Sequence, residues 1–336
     1  KLGILEELIN RDSINEIMVN GIKDIFIEEN GKLKKFCGSF DSVEELEEII
    51  RNIAAGVHRE INEMNPIVDA RLDNGSRVNG VYKNIAINGP ILTIRKFSKN
   101  DITMNNLVQY KTLTEECARY LENLTILGFN IFISGGTSSG KTTFLNALGD
   151  NIPKQERVIV IEDSAELKLN NLPNIVHMEC HNANSMGQGS ITMDKLIKTS
   201  LRMRPDRIIV GEVRGTEVSD TLQAMNTGHD GSMSTGHGNS VNGMLRRLEA
   251  MYLMSAQIPI DAIRAQIAEG IDIIVHLERL YNGERKVVEI AEIVDFKNGE
   301  FVTNQVFNLN DNLELVSTGN QLVNRAKLKR RREISG

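Results

Sequence analysis

Residues Gly135-Gly136-Thr137-Ser138-Ser139-Gly140-Lys141-Thr142 follow the pattern G-x-x-x-x-G-K-[ST], and holding phosphate is the chemistry those residue types serve at that spacing. The glycines let backbone N–H groups turn inward as an anion nest, and the helix that follows adds the positive end of its dipole. Lys141 has the reach for β- and γ-phosphates, the Thr142 hydroxyl can ligate Mg²⁺, and Thr143 completes the binding set. The context agrees with the pattern: the apolar run Phe129 to Ile133 precedes the loop, and Phe144, Leu145 and Leu148 recur at helical spacing after it.

Two carboxylates stand where a phosphate-transfer site needs them. Arg207-Ile208-Ile209-Val210 reads as a short buried strand that delivers Gly211-Glu212 to the edge of a sheet, where Glu212 can orient or deprotonate an attacking water. Gly211 occupies the position usual for a Mg²⁺-side Asp, so a metal contact from this strand has to run through water or come from elsewhere. Glu162, in the cluster Glu162-Asp163-Ser164-Ala165-Glu166 after the apolar run Val158 to Ile161, can assist Mg²⁺ or water, and it also reads as a polar residue of an ordinary loop. His229 and His237 lie in the glycine-rich segment Thr227 to Ser240, whose composition predicts irregular backbone. Either histidine can sense a γ-phosphate, bond a neighbouring acid or serve as a satisfied structural residue. Neither Cys nor an HExxH spacing accompanies them, so a metal centre is not indicated there.

The elements that must position these residues are legible as alternating apolar runs and helical periodicity from Thr114 onward, the pattern of a mainly parallel sheet covered by helices. Strands are predicted at 129–134, 158–161, 175–178, 207–210 and 271–277, and helices at 141–148, 194–201, 216–225, 241–254 and 260–269. Upstream, residues 1–99 read as a smaller mixed α/β domain. It has a helical start, a strand at Ile25-Phe26-Ile27 ending at the turn Asn30-Gly31, and an amphipathic helix from Val43 to His58. A hairpin about Asn74-Gly75 follows. The polar stretch Ser98 to Thr103 opens a linker placed at 100–113, and residues 114–336 form the phosphate-binding domain with a basic tail, Arg325 to Arg332. That tail is expected to be solvated, or else to meet anionic lipid or an acidic partner.

Composition narrows the classes. With 336 residues, two domains are the natural expectation. Thirty-nine Lys and Arg against 45 Asp and Glu, with 4% aromatic residues, speak against a surface that tracks a nucleic-acid backbone or stacks bases, so direct nucleic-acid binding is not expected. Three scattered cysteines suggest neither disulfides nor zinc, and no run of about 18 apolar residues suggests a membrane span. A cytoplasmic setting is the expectation.

Taken in order, several stretches resemble the secretion ATPase superfamily of type II and type IV secretion and type IV pilus motors, and within it the tight-adherence pilus assembly branch. They are Pro66 to Leu72, Gly75 to Asn79, Leu92 to Phe97, the phosphate loop, Ile161 to Leu167, Leu201 to Asp206, Gly211-Glu212-Val213-Arg214 and the histidine segment. The resemblance implies an N-terminal domain joined to a RecA-like P-loop NTPase domain, a homo-hexamer using ATP and Mg²⁺, and docking on an inner-membrane platform protein. By the same resemblance Glu212 is the catalytic glutamate and Glu162 belongs to an acidic box. His229 and His237 form a His box, and Arg71, Arg77 and Arg95 include at least one residue that reaches the phosphates. Unaided, those arginines read as surface charges. Two departures stand out: Gly238 replaces a common Ala after the second His, and the zinc-binding cysteine module of some type II ATPases is absent. Two rival readings are a RecA-type nucleic-acid translocase and a nucleotide-gated scaffold without useful turnover; intact Glu212 and Glu162 count against the scaffold.

Overall fold

The computed structural model describes residues 2–29, 31–72, 74–97, 101–181 and 189–332. The chain divides into two compact units, Lys1–Asp101 and a larger one that begins at Ile102.

The smaller unit runs α1 (Ile4–Asn10), β1 (Ile14–Asn20), β2 (Ile25–Glu29), β3 (Lys32–Lys35), α2 (Val43–Gly56), β4 (Ile67–Arg71), β5 (Arg77–Val81) and β6 (Ile91–Arg95). Helix α2 starts where the Ser42 side chain accepts the N–H of Glu45. It buries Leu46, Ile49, Ile50 and Ile53, the i, i+3, i+4, i+7 stripe the sequence predicts. The helix stops at Gly56, two residues short of the predicted end, and His58 turns to a left-handed φ of 57°. The six strands form one antiparallel sheet in the order β3-β2-β1-β6-β5-β4, with Ile17, Val19, Val78, Leu92 and Ile94 on its core face. Strand β1 was not predicted, and Asn30, assigned to a turn, lies outside the described residues.

The larger unit opens with α3 (Met104–Gln109), α4 (Glu115–Leu127), β7 (Ile131–Gly135), α5 (Lys141–Gly149), β8 (Val158–Glu162), β9 (Ile175–Glu179) and α6 (Met193–Ser200). Strand β10 (Arg207–Val213), α7 (Val218–Asn226), β11 (Met233–His237), α8 (Val241–Leu253), α9 (Ile260–Gly270) and β12 (Ile273–Arg279) follow. Three strands, β13 (Arg285–Lys297), β14 (Glu300–Leu309) and β15 (Leu315–Ser317), precede α10 (Ala326–Arg332). The nine strands stand in the order β15-β14-β13-β12-β7-β11-β10-β8-β9. From β12 to β9 all neighbours are parallel, and β13 to β15 add an antiparallel wing.

Successive residues of the central strands face opposite sides, and each side has its own helices. Ile131, Ile133, Val158 and Val160 pack with α3, α4 and α5, while Phe132, Ile159, Ile161, Ile208 and Val210 pack with α6 to α9. Each such fully buried side chain contributes about 1.5–3 kcal/mol, which is why these strands read as unbroken apolar runs. This is the mixed α/β architecture, a mainly parallel sheet covered by helices, that the alternation predicts.

Four features differ from the sequence reading. Residues 98–100 of the expected linker lie outside the described residues, and residues 102–113 are not a bare connection. They include α3, opened by a capping box between Thr103 and Asn106, and Met104, Leu107 and Leu113 join the larger unit's core. The histidine segment, expected to be irregular, supplies β11 in the middle of the sheet. Strand β10 continues three residues past Val210, so Glu212 sits within it. The basic tail is not wholly solvated: it begins α10, and Lys327 bonds Asp272 Oδ2 (2.5 Å) and Asp230 Oδ1 (3.0 Å). Among the described residues no helix is long and apolar enough to cross a membrane.

Candidate functional site

Parallel strands end at a common edge, so β7, β8, β10 and β11 deliver Gly135, Glu162, Glu212 and His237 to one rim of the larger unit's sheet. The phosphate loop hangs there between β7 and α5. Gly135 admits no side chain, because a Cβ would lie 2.5 Å from the Leu277 carbonyl oxygen. Gly140 opens α5 with a left-handed φ of 93° and Ser138 also turns left-handed at 59°, which aims the backbone inward. Gly136, Thr137 and Ser138 are exposed, whereas Ser139 is buried and its Oγ has no hydrogen-bond partner. An orphaned hydroxyl inside a ring of backbone amides at a helix start fits a phosphate group.

Lys141 is 7% exposed and points back over the loop: Nζ donates to the carbonyls of Gly135 (3.1 Å) and Gly136 (2.9 Å) and lies 4.0 Å from Glu212 Oε1. It also lies 3.4 Å from Nδ1 of His237. An ammonium has no acceptor, so Nδ1 is the acceptor there and the imidazole proton is on Nε2, which donates to Glu212 Oε1 at 2.8 Å. Burial pushes the His237 imidazole below its ordinary value, with Lys141, Arg214 and Arg247 adding to that and Glu212 opposing it, so the ring is neutral at pH 7.

Glu212 owes its aim to a bulge. Val210 pairs with Ser234 but Val213 with Gly236, so β10 carries one extra residue, and Ser234 Oγ and Thr235 Oγ1 donate to the carbonyls of Val210 (2.8 Å) and Gly211 (2.7 Å). Gly211, the sequence's departure, has a steric reason: a Cβ there would come within 2.9 Å of Glu162 Cγ. The acid facing this position therefore comes from β8. Glu162 is buried, and its Oε1 accepts the N–H groups of Glu166 (2.9 Å) and Leu167 (3.0 Å), which ties down the loop after β8.

Thr142 and Thr143 are half-buried in the first turn of α5. Hydroxyl and carboxylate oxygens are hard donors suited to Mg²⁺, which is commonly held by one or two protein groups plus substrate phosphates. Among the described residues no cluster of three or more His, Cys, Asp and Glu forms. Beside the loop opens a cavity of about 250 Å³ between Ser139, Gly140 and Thr143 and the side chains of Ile102, Leu107, Tyr110 and Leu277. Arg285 closes one side and donates from Nε to the Ser138 carbonyl (3.0 Å). Tyr110 and Arg285 escaped the sequence reading, because nothing in their spacing marks them: they reach the loop from α3's end and the start of β13.

His229 is not brought to this rim. It precedes β11 and so lies at the amino edge, about 13 Å of strand away from His237. Its Nδ1 donates to the Ala224 carbonyl (3.0 Å), and its own carbonyl accepts from Ser232 Oγ (2.7 Å), so it closes a turn. His229 therefore does not face this chain's own phosphate loop. In the smaller unit, Arg71, Arg77 and Arg95 are brought together. Arg71 pairs in register with Arg77, and Arg77 with Arg95, on the sheet face opposite the core. The row continues to Glu16, which pairs in register with Arg95, so a carboxylate balances part of its charge.

The uncharacterized protein MJ0781 of Methanocaldococcus jannaschii is 42% identical over 244 residues, which are 70% of this chain and 33% of that protein; the chain thus spans a third of that relative's length. The conjugal transfer protein TrbB of Rhizobium radiobacter is 33% identical over 296 residues, 87% of each chain. Among solved structures, the Legionella pneumophila ATPase DotB shares the fold, with a TM-score of 0.60 at 20% identity over 86% of this chain and 79% of that one. Since the profile of the family described as Type II/IV secretion system protein matches residues 1–332, the chain belongs to that family.

Proposed function

We propose that this chain is a Mg²⁺-dependent ATPase, the motor subunit of a secretion or pilus-assembly apparatus. The observation that carries the reading is the convergence of Lys141, Glu212 and His237 on one glycine-lined loop, with Glu212 Oε1 4.0 Å from the Lys141 ammonium and 2.8 Å from His237 Nε2. The loop amides and Lys141 bind the triphosphate, and Thr142 holds Mg²⁺, which supplies charge neutralisation at the phosphates. Glu212 orients the attacking water and takes its proton, and His237 holds the carboxylate in place. Glu162 keeps the loop after β8 against the site. The apolar cavity beside Ser139 has the size and lining for a base.

The arginine row supports a further part of the same reading, in which the smaller unit supplies a cation to the phosphates and hydrolysis drives motion between units of a homo-hexamer. The hexamer works on the cytoplasmic side of the inner membrane, docked on a platform protein. The tight-adherence pilus branch is the finer assignment, carried by the motifs. TrbB's conjugal-transfer name supports the motor reading without that branch.

The test is steady-state phosphate release from Mg²⁺-ATP across a protein concentration series, with mass measured in parallel and with and without DNA. Glu212→Gln is expected to lower turnover by about 10²- to 10⁴-fold while ATP still binds. Near-normal turnover in that variant removes the assigned role, and turnover that only DNA switches on replaces the secretion motor with a nucleic-acid translocase.

A further inference from the structure

One charged group beside Glu212 has no part in the roles above. Arg214 donates to Glu212 Oε2 from Nε (2.6 Å) and Nη2 (2.5 Å), and its Nη1 lies 3.4 Å from Asp163 Oδ2, just past β8. The backbone sets it there: Glu217 Oε1 accepts the N–H groups of Arg214 (2.5 Å) and Gly215 (2.9 Å), closing the turn after β10.

A carboxylate that is to orient water must present one oxygen at a fixed angle, and a glutamate side chain left to itself samples several rotamers. Here the two oxygens are divided: Oε2 is held by a planar guanidinium, and Oε1 faces Lys141 and His237. Only Arg offers two N–H groups in a rigid fork to one carboxylate oxygen while a third reaches another acid. The Arg214 side chain is 58% exposed and Asp163 60%, so the contact adds little to folding stability. Its consequence falls on geometry.

We propose that Arg214 is a positioning residue for hydrolysis: by clamping Glu212 Oε2 it aims Oε1 at the attacking water, and Asp163 steadies the far side of the guanidinium. This rests on the hydrolytic reading of Glu212. The test compares phosphate release, nucleotide affinity and melting temperature for the full chain and for Arg214→Ala, Arg214→Lys and Glu212→Gln. Arg214→Ala is repeated with guanidinium ion at millimolar concentration. Arg214→Ala is expected to lower kcat about 10- to 100-fold with nucleotide affinity within about twofold and melting unchanged, since hydrogen bonds to a charged group are worth that much. Arg214→Lys recovers only a minor part, and free guanidinium restores turnover to Arg214→Ala but not to Glu212→Gln. If Arg214→Ala keeps kcat within twofold while Glu212→Gln is inactive, the positioning role is overturned and the reading of Glu212 stands. A loss in Arg214→Ala that follows lost affinity or lowered melting overturns it too. An active Glu212→Gln removes both.

Discussion

The two rims of the nine-stranded sheet both carry buried charge, and they use it differently. At the amino rim Asn130, 1% exposed, donates from its backbone N–H to Asp272 Oδ2 (2.7 Å) and from Nδ2 to the carbonyls of Gly270 (2.8 Å) and Met225 (3.2 Å). Its Oδ1 accepts the N–H groups of Gly231 (2.8 Å) and Ser232 (3.1 Å), and Lys327 bonds Asp272 from α10. At the carboxyl rim Lys141, Glu212 and His237 lean on one another beside an unpartnered Ser139 hydroxyl and bare glycine backbone. Polar groups that exhaust one another's valences hold loops in place. Polar groups gathered beside open backbone keep capacity for a ligand. The histidine motif shows the contrast within five residues of strand, His229 closing a turn at one rim and His237 serving the other.

Asn130→Ala should have the largest effect on the amino rim, because several buried backbone groups would lose their partner. About 3 kcal/mol of unfolding free energy should be lost in chemical denaturation, with turnover per folded molecule within twofold of the parent. A variant that keeps its stability but loses turnover would reverse the roles given to the two rims. The paired variants His237→Asn and His229→Asn sharpen the contrast directly. The first should lower kcat about tenfold, the worth of one hydrogen bond to a carboxylate, and the second should change it less than twofold. Equal losses would break the comparison.

The smallest effect concerns pH. Burial depresses His276, with Glu278 opposing, and depresses His177 and His237 as well. Groups held below their ordinary value of about 6.5 take up protons in the unfolded chain first, so their contribution is complete above pH 7 and declines as pH falls through 6.5. Melting temperature measured between pH 7.5 and 5.5 should therefore drop on the acid side. A proton added to His237 Nδ1 would also face the Lys141 ammonium, so turnover should fall in the same window. A flat profile in both would mean that these rings are not held neutral.

Much of the fold is legible in the residues. Helices α5 and α8 end within one residue of their predicted limits, and the strand–loop–helix about Lys141 stands where the spacing puts it. The wing of β13 to β15 was missed, because its strands mix exposed polar and buried apolar residues without a strict alternation. Strand β11, Met-Ser-Thr-Gly-His, was missed for a different reason: its composition is that of a loop. Carbonyls of the neighbouring strand satisfy its buried hydroxyls and make it a central strand.

At the candidate site the chain's own pattern determined which chemistry is present, since a phosphate nest needs glycines and a lysine at local, fixed offsets, and such offsets survive in a linear sequence. Tertiary structure alone decided which distant groups share the rim. The one-residue bulge in β10 turns Glu212 toward Lys141, the missing Cβ at Gly211 makes room for Glu162, and strand direction separates His237 from His229. Those outcomes depend on register and on which strands are neighbours, and both are set by packing across the whole sheet, which no local spacing records.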